Sequence, residues 1–397
     1  MDASEMEDIT FIHGSIILED AVLEDGAVAV RQGVIFWVGP TADCKDTSDK
    51  TVDLGGFYLS PGFIDLHVHG GGGIDCTVGD PEALKTICRT HEAFGTTSMC
   101  LAVISSPIEV TKKALNAIYR LATSGTGGCR LLGAYLEGPF INPSRAGAHH
   151  PDYLLYPDLD IMKSLAVSAG GWLRIVALAP ELPDADQIIQ WTAKEMGLVA
   201  AIAHTGATYE QARNAIQSGC ILATHLYNGM KPFHHRDPNA AGAVLTEDGI
   251  FAELVVDEHH LHPAAVKIAY QLIGMDRLVL VTDATSVVGS GDGKGKLGDQ
   301  PIHILDGSAR LDSNENMLAG SALTMIDAVR GMIDMLKIPP YIAVHCASLN
   351  PARVLKIDDR LGSIKVGKHA DLLVLDRTDM RVLYSYVSGR RIFKTPY

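Results

Sequence analysis

The sequence predicts an α/β chain: a (β/α)8 TIM barrel carrying a small β-sandwich domain formed from the N- and C-terminal segments. Three observations predict it. From residue 60 onward, short apolar runs alternate with helix-like segments at a regular beat, the pattern of repeated βα units and a parallel sheet. Eight such runs can be counted, the strand number of a closed barrel. The two ends read instead as short strands and turns, and neither is long enough to bury a core alone, so they combine into one domain. The boundaries that follow are 1–59 and 359–397 for the β domain and 60–358 for the barrel.

Near the start, AVAVRQGVIFWVG (27–39) places two strand-like runs around a tight Arg-Gln-Gly turn, and TVDLGGFYLSPG (51–62) continues in that style. The barrel strands are expected at 63–68, 97–102, 131–137, 174–179, 198–204, 220–225, 251–257 and 278–283. Helices are expected at 107–122, 184–196 and 208–219, each opening with Pro, Asp or Thr near its start. The Gly-rich stretch 289–299 reads as an irregular, mobile excursion. Strand-like runs at 362–376 and 381–393 complete the β domain. A doubly wound sheet is the alternative, but no GxGxxG turn follows the first strand.

A chain of 397 residues can hold one barrel-sized domain or two ordinary ones. A formal net charge of −14 argues against general nucleic-acid binding, which needs a basic footprint. Any anionic substrate must then meet a local cluster of cations. The opening MDASEMEDIT lacks the basic and apolar regions of a signal peptide, and runs such as LVAAIA (198–203) are too short to cross a bilayer. Seven scattered cysteines with no CxxC pair suggest reduced thiols in a cytoplasm, most of them acting as small buried hydrophobes.

Residues able to bind metal fall at the strand ends. His67 and His69 close the first expected strand, Glu137 the third, His204 the fifth, His225 the sixth and Asp283 the eighth. Barrel active sites lie at that C-terminal face. Period-two alternation points His67 and His69 to the same side. Taken singly, each has a structural alternative: HxH is a weak motif, Asp283 could cap a helix, and Glu137 before Gly-Pro could sit in a turn. Together, such groups would be costly if buried unpaired, whereas a divalent cation satisfies them at once. Nitrogen and oxygen donors without thiolate suggest zinc, with iron, manganese or cobalt as substitutes.

With these residues in hand, the chain resembles the metal-dependent amidohydrolase superfamily and, more narrowly, the N-acetylglucosamine-6-phosphate deacetylase family. The resemblance rests on PGFIDLHVHGGGG (61–73), YLEGPFINPSRAGAH (135–149), AHTGAT (203–208), THLYNGMKPFHHRDP (224–238), LVVDEHHLHP (254–263), LVTDAT (280–285) and LAGSALTM (318–325). It implies hydrolysis of the acetamide of N-acetyl-D-glucosamine 6-phosphate to D-glucosamine 6-phosphate and acetate by a metal-activated hydroxide. Glu137, His204 and His225 would hold the main ion, His67 and His69 a second, giving one or two ions per subunit. Asp283 would be the metal-associated general acid/base, and His149 would polarise the carbonyl.

The resemblance also implies a substrate-binding set of Asn228, Gly229, Arg236, His260, His149, Leu318 and Ala319. Arg236 would reach the neighbouring subunit's site, which implies a homodimer. The segment KPFHHRDP (231–238) is the cation cluster that an acidic chain needs for a phosphate, and guanidinium matches phosphate bidentately. Two positions depart from the family pattern: Gly229 stands where Ala is usual, and Glu258 where Gly is usual. Glu258 would either weaken phosphate binding or point to solvent. The same stretch leaves His259 and His260 as alternatives, with spacing from Asp257 favouring His260. Competing activities are a different N-acetyl sugar phosphate, an N-acyl amino acid or a cyclic amide as substrate, or a non-catalytic assembly protein.

Overall fold

The computed structural model describes residues 8–45, 48 and 50–395. Eight parallel strands follow one another in chain order around the barrel: Phe63–Val68 (β1), Thr96–Ile104 (β2), Arg130–Glu137 (β3), Leu173–Leu178 (β4), Val199–Ile202 (β5), Cys220–Ala223 (β6), Phe251–Leu254 (β7) and Leu278–Leu280 (β8). The strands are apolar because helices cover one face and the barrel interior the other. All nine residues of β2 are buried. No ladder joins β8 to β1. The seam is closed instead by a Val68–Ala284 bridge, with the Asp283 amide donating to the His67 carbonyl at 3.0 Å and the His69 amide to that of Ala284 at 2.8 Å.

The helices expected between strands form at Ile108–Ser124, Ala185–Gln190 and Tyr209–Ser218. Thr208 and Gln211 make a reciprocal capping box on the last of these. The second is shorter than the expected 184–196, because from Trp191 to Glu195 the coil widens to π geometry.

The chain ends meet in one eight-stranded sheet. Tyr58–Pro61 lies parallel to Ile9–Ile17 on one side and antiparallel to Leu372–Leu375 on the other. The sheet bends until Val34 bridges His369, enclosing Phe11, Val28, Ile35, Leu59, Leu372 and Tyr386 in a core separate from the barrel's. Phe11 and Tyr386 meet edge to face at 5.3 Å. Gln32 and Gly33 both take positive φ (48° and 75°), the geometry a two-residue hairpin turn needs.

The stretch 289–299 departs from expectation. Lys294–Leu297 is a strand, the first of a four-stranded antiparallel sheet completed by Gln300–Leu305, Ser308–Leu311 and Asn314–Leu318. Leu297, Ile302, Ala309 and Leu311 pack it onto Ile104 and Val287 at the barrel mouth. Tyr153 donates to Asp299 at 2.6 Å, and Gln300 donates to the Ala148 carbonyl, tying the insertion to the loop after β3. Among the described residues no helix is long and apolar enough to cross a membrane. No disulfide is present among them, and every cysteine but the half-buried Cys44 is buried.

Candidate metal centre

At the mouth of the barrel the Glu137 carboxylate sits among five imidazoles. Glu137, the last residue of β3, places Oε1 at 3.1 Å from His204 Nε2, 3.0 Å from His225 Nε2 and 3.8 Å from His67 Nε2. Its Oε2 lies 3.2 Å from His69 Nε2 and 3.4 Å from His149 Nε2. Asp283 Oδ1 faces His69 and His67 at 3.4 and 3.7 Å. Two groups therefore have donor atoms close enough for an ion, His67–His69–Glu137 and Glu137–His204–His225, and Glu137 belongs to both.

The backbone explains how these side chains converge. His204, His225 and Asp283 do not close their strands, as the sequence suggested; β5, β6 and β8 end two to three residues earlier. All three adopt left-handed backbone, with φ of 42°, 28° and 51°. Non-glycine residues avoid that region, and such strain concentrates at functional sites. The glycines after His69 admit close neighbours. A Cβ on Gly70 would lie 2.6 Å from the Ser286 amide and 2.5 Å from the Ile74 carbonyl, and one on Gly71 would lie 3.0 Å from His91. Gly70 thus makes room for the segment after β8, and Gly71 for the helix that carries His91.

The donor set fits a divalent cation. The outer nitrogens of three histidines are held: His204 Nδ1 by the Arg145 carbonyl at 2.8 Å, His225 Nδ1 by the Asn228 carbonyl at 3.1 Å, and His67 Nδ1 by Glu253 at 3.1 Å. Donating outward fixes the tautomer and turns each Nε2 lone pair toward Glu137. His67 and His69 then bring their Nε2 atoms within 3.1 Å, a contact that a shared cation or proton relieves. Burial opposes a charged imidazole at His67 and His204. Even so, Asp283 and Glu253 hold His67 well above the ordinary value, and Glu137 raises His204. Glu137 is held well below the usual carboxylate range against the cost of burial, chiefly by His149, His204 and His225.

His149 behaves differently. Burial first, and then the neighbouring His204, push its imidazole down to about 4. It is neutral near pH 7, bonds Ser105 through Nδ1 at 2.8 Å, and leaves the buried Nε2 without a hydrogen-bond partner.

The cavity over these groups measures about 140 Å3 and is walled by Ile104, His149, Asn228, Gly229, His260 and Leu318, among others. His260, not the exposed His259, lines it, with Nδ1 at 2.7 Å from Asp257. Ala319 does not reach the wall; it is fully buried and its amide donates to the Ala309 carbonyl. Arg236 is exposed and does not line this cavity, with Nη1 2.9 Å from His235. Gly229 has φ of 65°, and a Cβ there would press to 2.8 Å from His204, so the glycine suits this backbone.

Glu258 is exposed and also left-handed, with φ of 63°. Glycine adopts that conformation without a Cβ penalty. The left-handed region costs a side-chain-bearing residue about 1–2 kcal/mol. Glycine's extra unfolded-state freedom returns about 0.5–1 of this. Glu258→Gly is therefore expected to raise stability by about 0.5 kcal/mol, read as a higher urea midpoint at constant slope; a lower midpoint would refute the strain.

Sequence reading missed Ser105, Ile104, Leu297, Gly320 and Glu253. Only Glu253 carried a signal, a charged residue inside an otherwise apolar buried strand.

The amidohydrolase family model matches residues 58–392. An N-acetylglucosamine-6-phosphate deacetylase of Lysinibacillus sphaericus is 36% identical over 337 residues, 85% of this chain and 86% of that protein. An N-acetylgalactosamine-6-phosphate deacetylase of Escherichia coli O157:H7 is 34% identical over 377 residues, 94% of this chain and 97% of the relative. Among solved structures, a mutant N-acetyl-D-glucosamine-6-phosphate deacetylase from Mycobacterium smegmatis, in complex with N-acetyl-D-glucosamine-6-phosphate, is similar with a TM-score of 0.91 at 29% identity, covering 98% of this chain and 100% of that one. With its histidines and Glu137 gathered at the mouth of a parallel barrel and the family model spanning most of its length, the chain belongs to the amidohydrolase family.

Proposed function

We propose that this chain hydrolyses the acetamide of N-acetyl-D-glucosamine 6-phosphate, releasing D-glucosamine 6-phosphate and acetate in the cytoplasm. The observation that carries the reading is Glu137, shared by two histidine pairs, with Asp283 and a neutral His149 facing the same small cavity. Glu137, His204 and His225 would hold the main ion and His67 and His69 a second, zinc suiting the nitrogen and oxygen donors best. A divalent cation held by these residues would supply Lewis-acid chemistry, which lowers the pKa of water from 15.7 toward about 7 and polarises a carbonyl.

The chain's own groups do the rest. Asp283 accepts a proton from the attacking water and passes it to the sugar nitrogen, so that the amine leaves neutral. His149, neutral with Nδ1 on Ser105, donates from Nε2 to the carbonyl oxygen as charge develops there. Asp257 orients His260 toward the cavity, where it and the Asn228–Gly229 backbone take the phosphate. Arg236, turned outward, would complete the phosphate site of a second subunit, so the working unit is a homodimer.

The test is acetate release by metal-loaded protein from N-acetylglucosamine 6-phosphate, N-acetylgalactosamine 6-phosphate, unphosphorylated N-acetylglucosamine, and dihydroorotate as a cyclic amide. Rapid release from the first supports the reading, preference for the second corrects the sugar, and silence on both rejects it. Arg236→Ala is expected to raise KM for the phosphorylated sugar by about ten- to a hundredfold, a lost charge-assisted bidentate pair being worth roughly 1.5–3 kcal/mol. KM for the unphosphorylated sugar should hardly move. Equal effects on both would place Arg236 outside phosphate recognition.

A further inference from the structure

The two candidate ion groups are supported unequally. Behind His204 and His225 stand neutral carbonyl oxygens, those of Arg145 and Asn228. Behind His67 stands a carboxylate. Glu253, on β7, is fully buried, and its Oε2 accepts from His67 Nδ1 at 3.1 Å and from the His225 amide at 3.2 Å. Its Oε1 is buried without a hydrogen-bond partner. Its one ion-pair contact among the described residues is His67. A carboxylate in a barrel strand costs several kcal/mol of desolvation, and a buried ion pair such as Glu253–His67 can often be replaced by apolar side chains of similar volume at no cost in stability. Packing alone gives no reason for its presence.

We propose that Glu253 is the positioning residue for the strand-1 half of the metal centre. It holds His67 with the proton on Nδ1 and the Nε2 lone pair inward, ties that ring to the backbone of His225, and supplies the negative charge that lets a second cation sit beside the first. Without an acceptor at Nδ1 the proton can move to Nε2, where it would point at His69, 3.1 Å away, and close the site to metal. The proposal rests on the metal-hydrolase reading above.

Two variants separate tautomer from charge. Glu253→Gln keeps shape and an acceptor oxygen but loses the charge, whereas Glu253→Met loses both. Metal-free wild type and variants are titrated with Zn(II) and Co(II) by calorimetry, with elemental analysis of the loaded proteins and a thermal melt of each. Wild type is expected to take two ions. The weaker one should bind about 10- to 100-fold less tightly in Glu253→Gln and be lost in Glu253→Met, while the tighter stays nearly unchanged. Folded variants that keep both affinities overturn the proposal. So does loss of both ions together, or a wild type that takes only one. Should Glu253→Met fail to fold, Glu253→Gln decides alone. Acetate release by the loaded wild type is measured alongside, so failure of the deacetylase reading is told apart from failure of this one.

Discussion

Asp283→Asn is expected to lower turnover by about a hundred- to ten-thousandfold, the usual worth of a positioned general acid/base, with metal content and melting temperature almost unchanged. The position survives because the backbone fixes it: the Asp283 amide donates to the His67 carbonyl at 3.0 Å, and its own carbonyl accepts from Ser321 at 2.7 Å. Neither bond involves the side chain. Asparagine fills the same space but cannot take a proton from water or return one to a departing nitrogen. The loss should appear in kcat rather than KM, since what disappears is a transition-state contribution. An asparagine variant that retains activity would remove Asp283 from the proton path.

Glu137→Gln is expected to act one step earlier and harder. Both ion groups use this carboxylate, so a neutral amide withdraws the anion from each at once. Metal content should fall below one ion per chain even at excess zinc, and acetate release should drop at least about a thousandfold, because a bound cation supplies several kcal/mol of charge stabilisation at about 1.4 kcal/mol per decade. The contrast with Asp283→Asn is the informative part: one variant loads metal without turning over, while the other does neither. A glutamine variant that still binds two ions would show that the histidines suffice without Glu137.

The barrel was legible because each strand is an apolar run long enough to stand out, and the site because its polar residues interrupt those runs at one end. Legibility stopped where backbone conformation took over. The expected strands ran through His204, His225 and Asp283, yet all three sit beyond the ladders in left-handed backbone that only surrounding structure can impose. The sheet over 294–318 escaped notice because most of Gln300–Leu305 and Asn314–Leu318 is at least partly exposed, leaving no clean alternation to read. Arg236 shows another limit, since its partner, if it has the role proposed, lies in another chain. Glu253 was visible in the sequence but passed over, although a buried strand gives no cheap place to a carboxylate.

The joined sheet of the small domain also bears on how the protein is made. Tyr58–Pro61 runs straight into β1, yet it pairs with Leu372–Leu375 from the other end of the chain. At about 5–20 residues per second of synthesis, the wait between the two is on the order of tens of seconds. Throughout that time Leu59 and Ser60, fully buried in the finished fold, present an unpaired strand edge of the kind that recruits other chains. The yield of folded protein should therefore depend on translation speed and on the chaperones that meet the nascent chain.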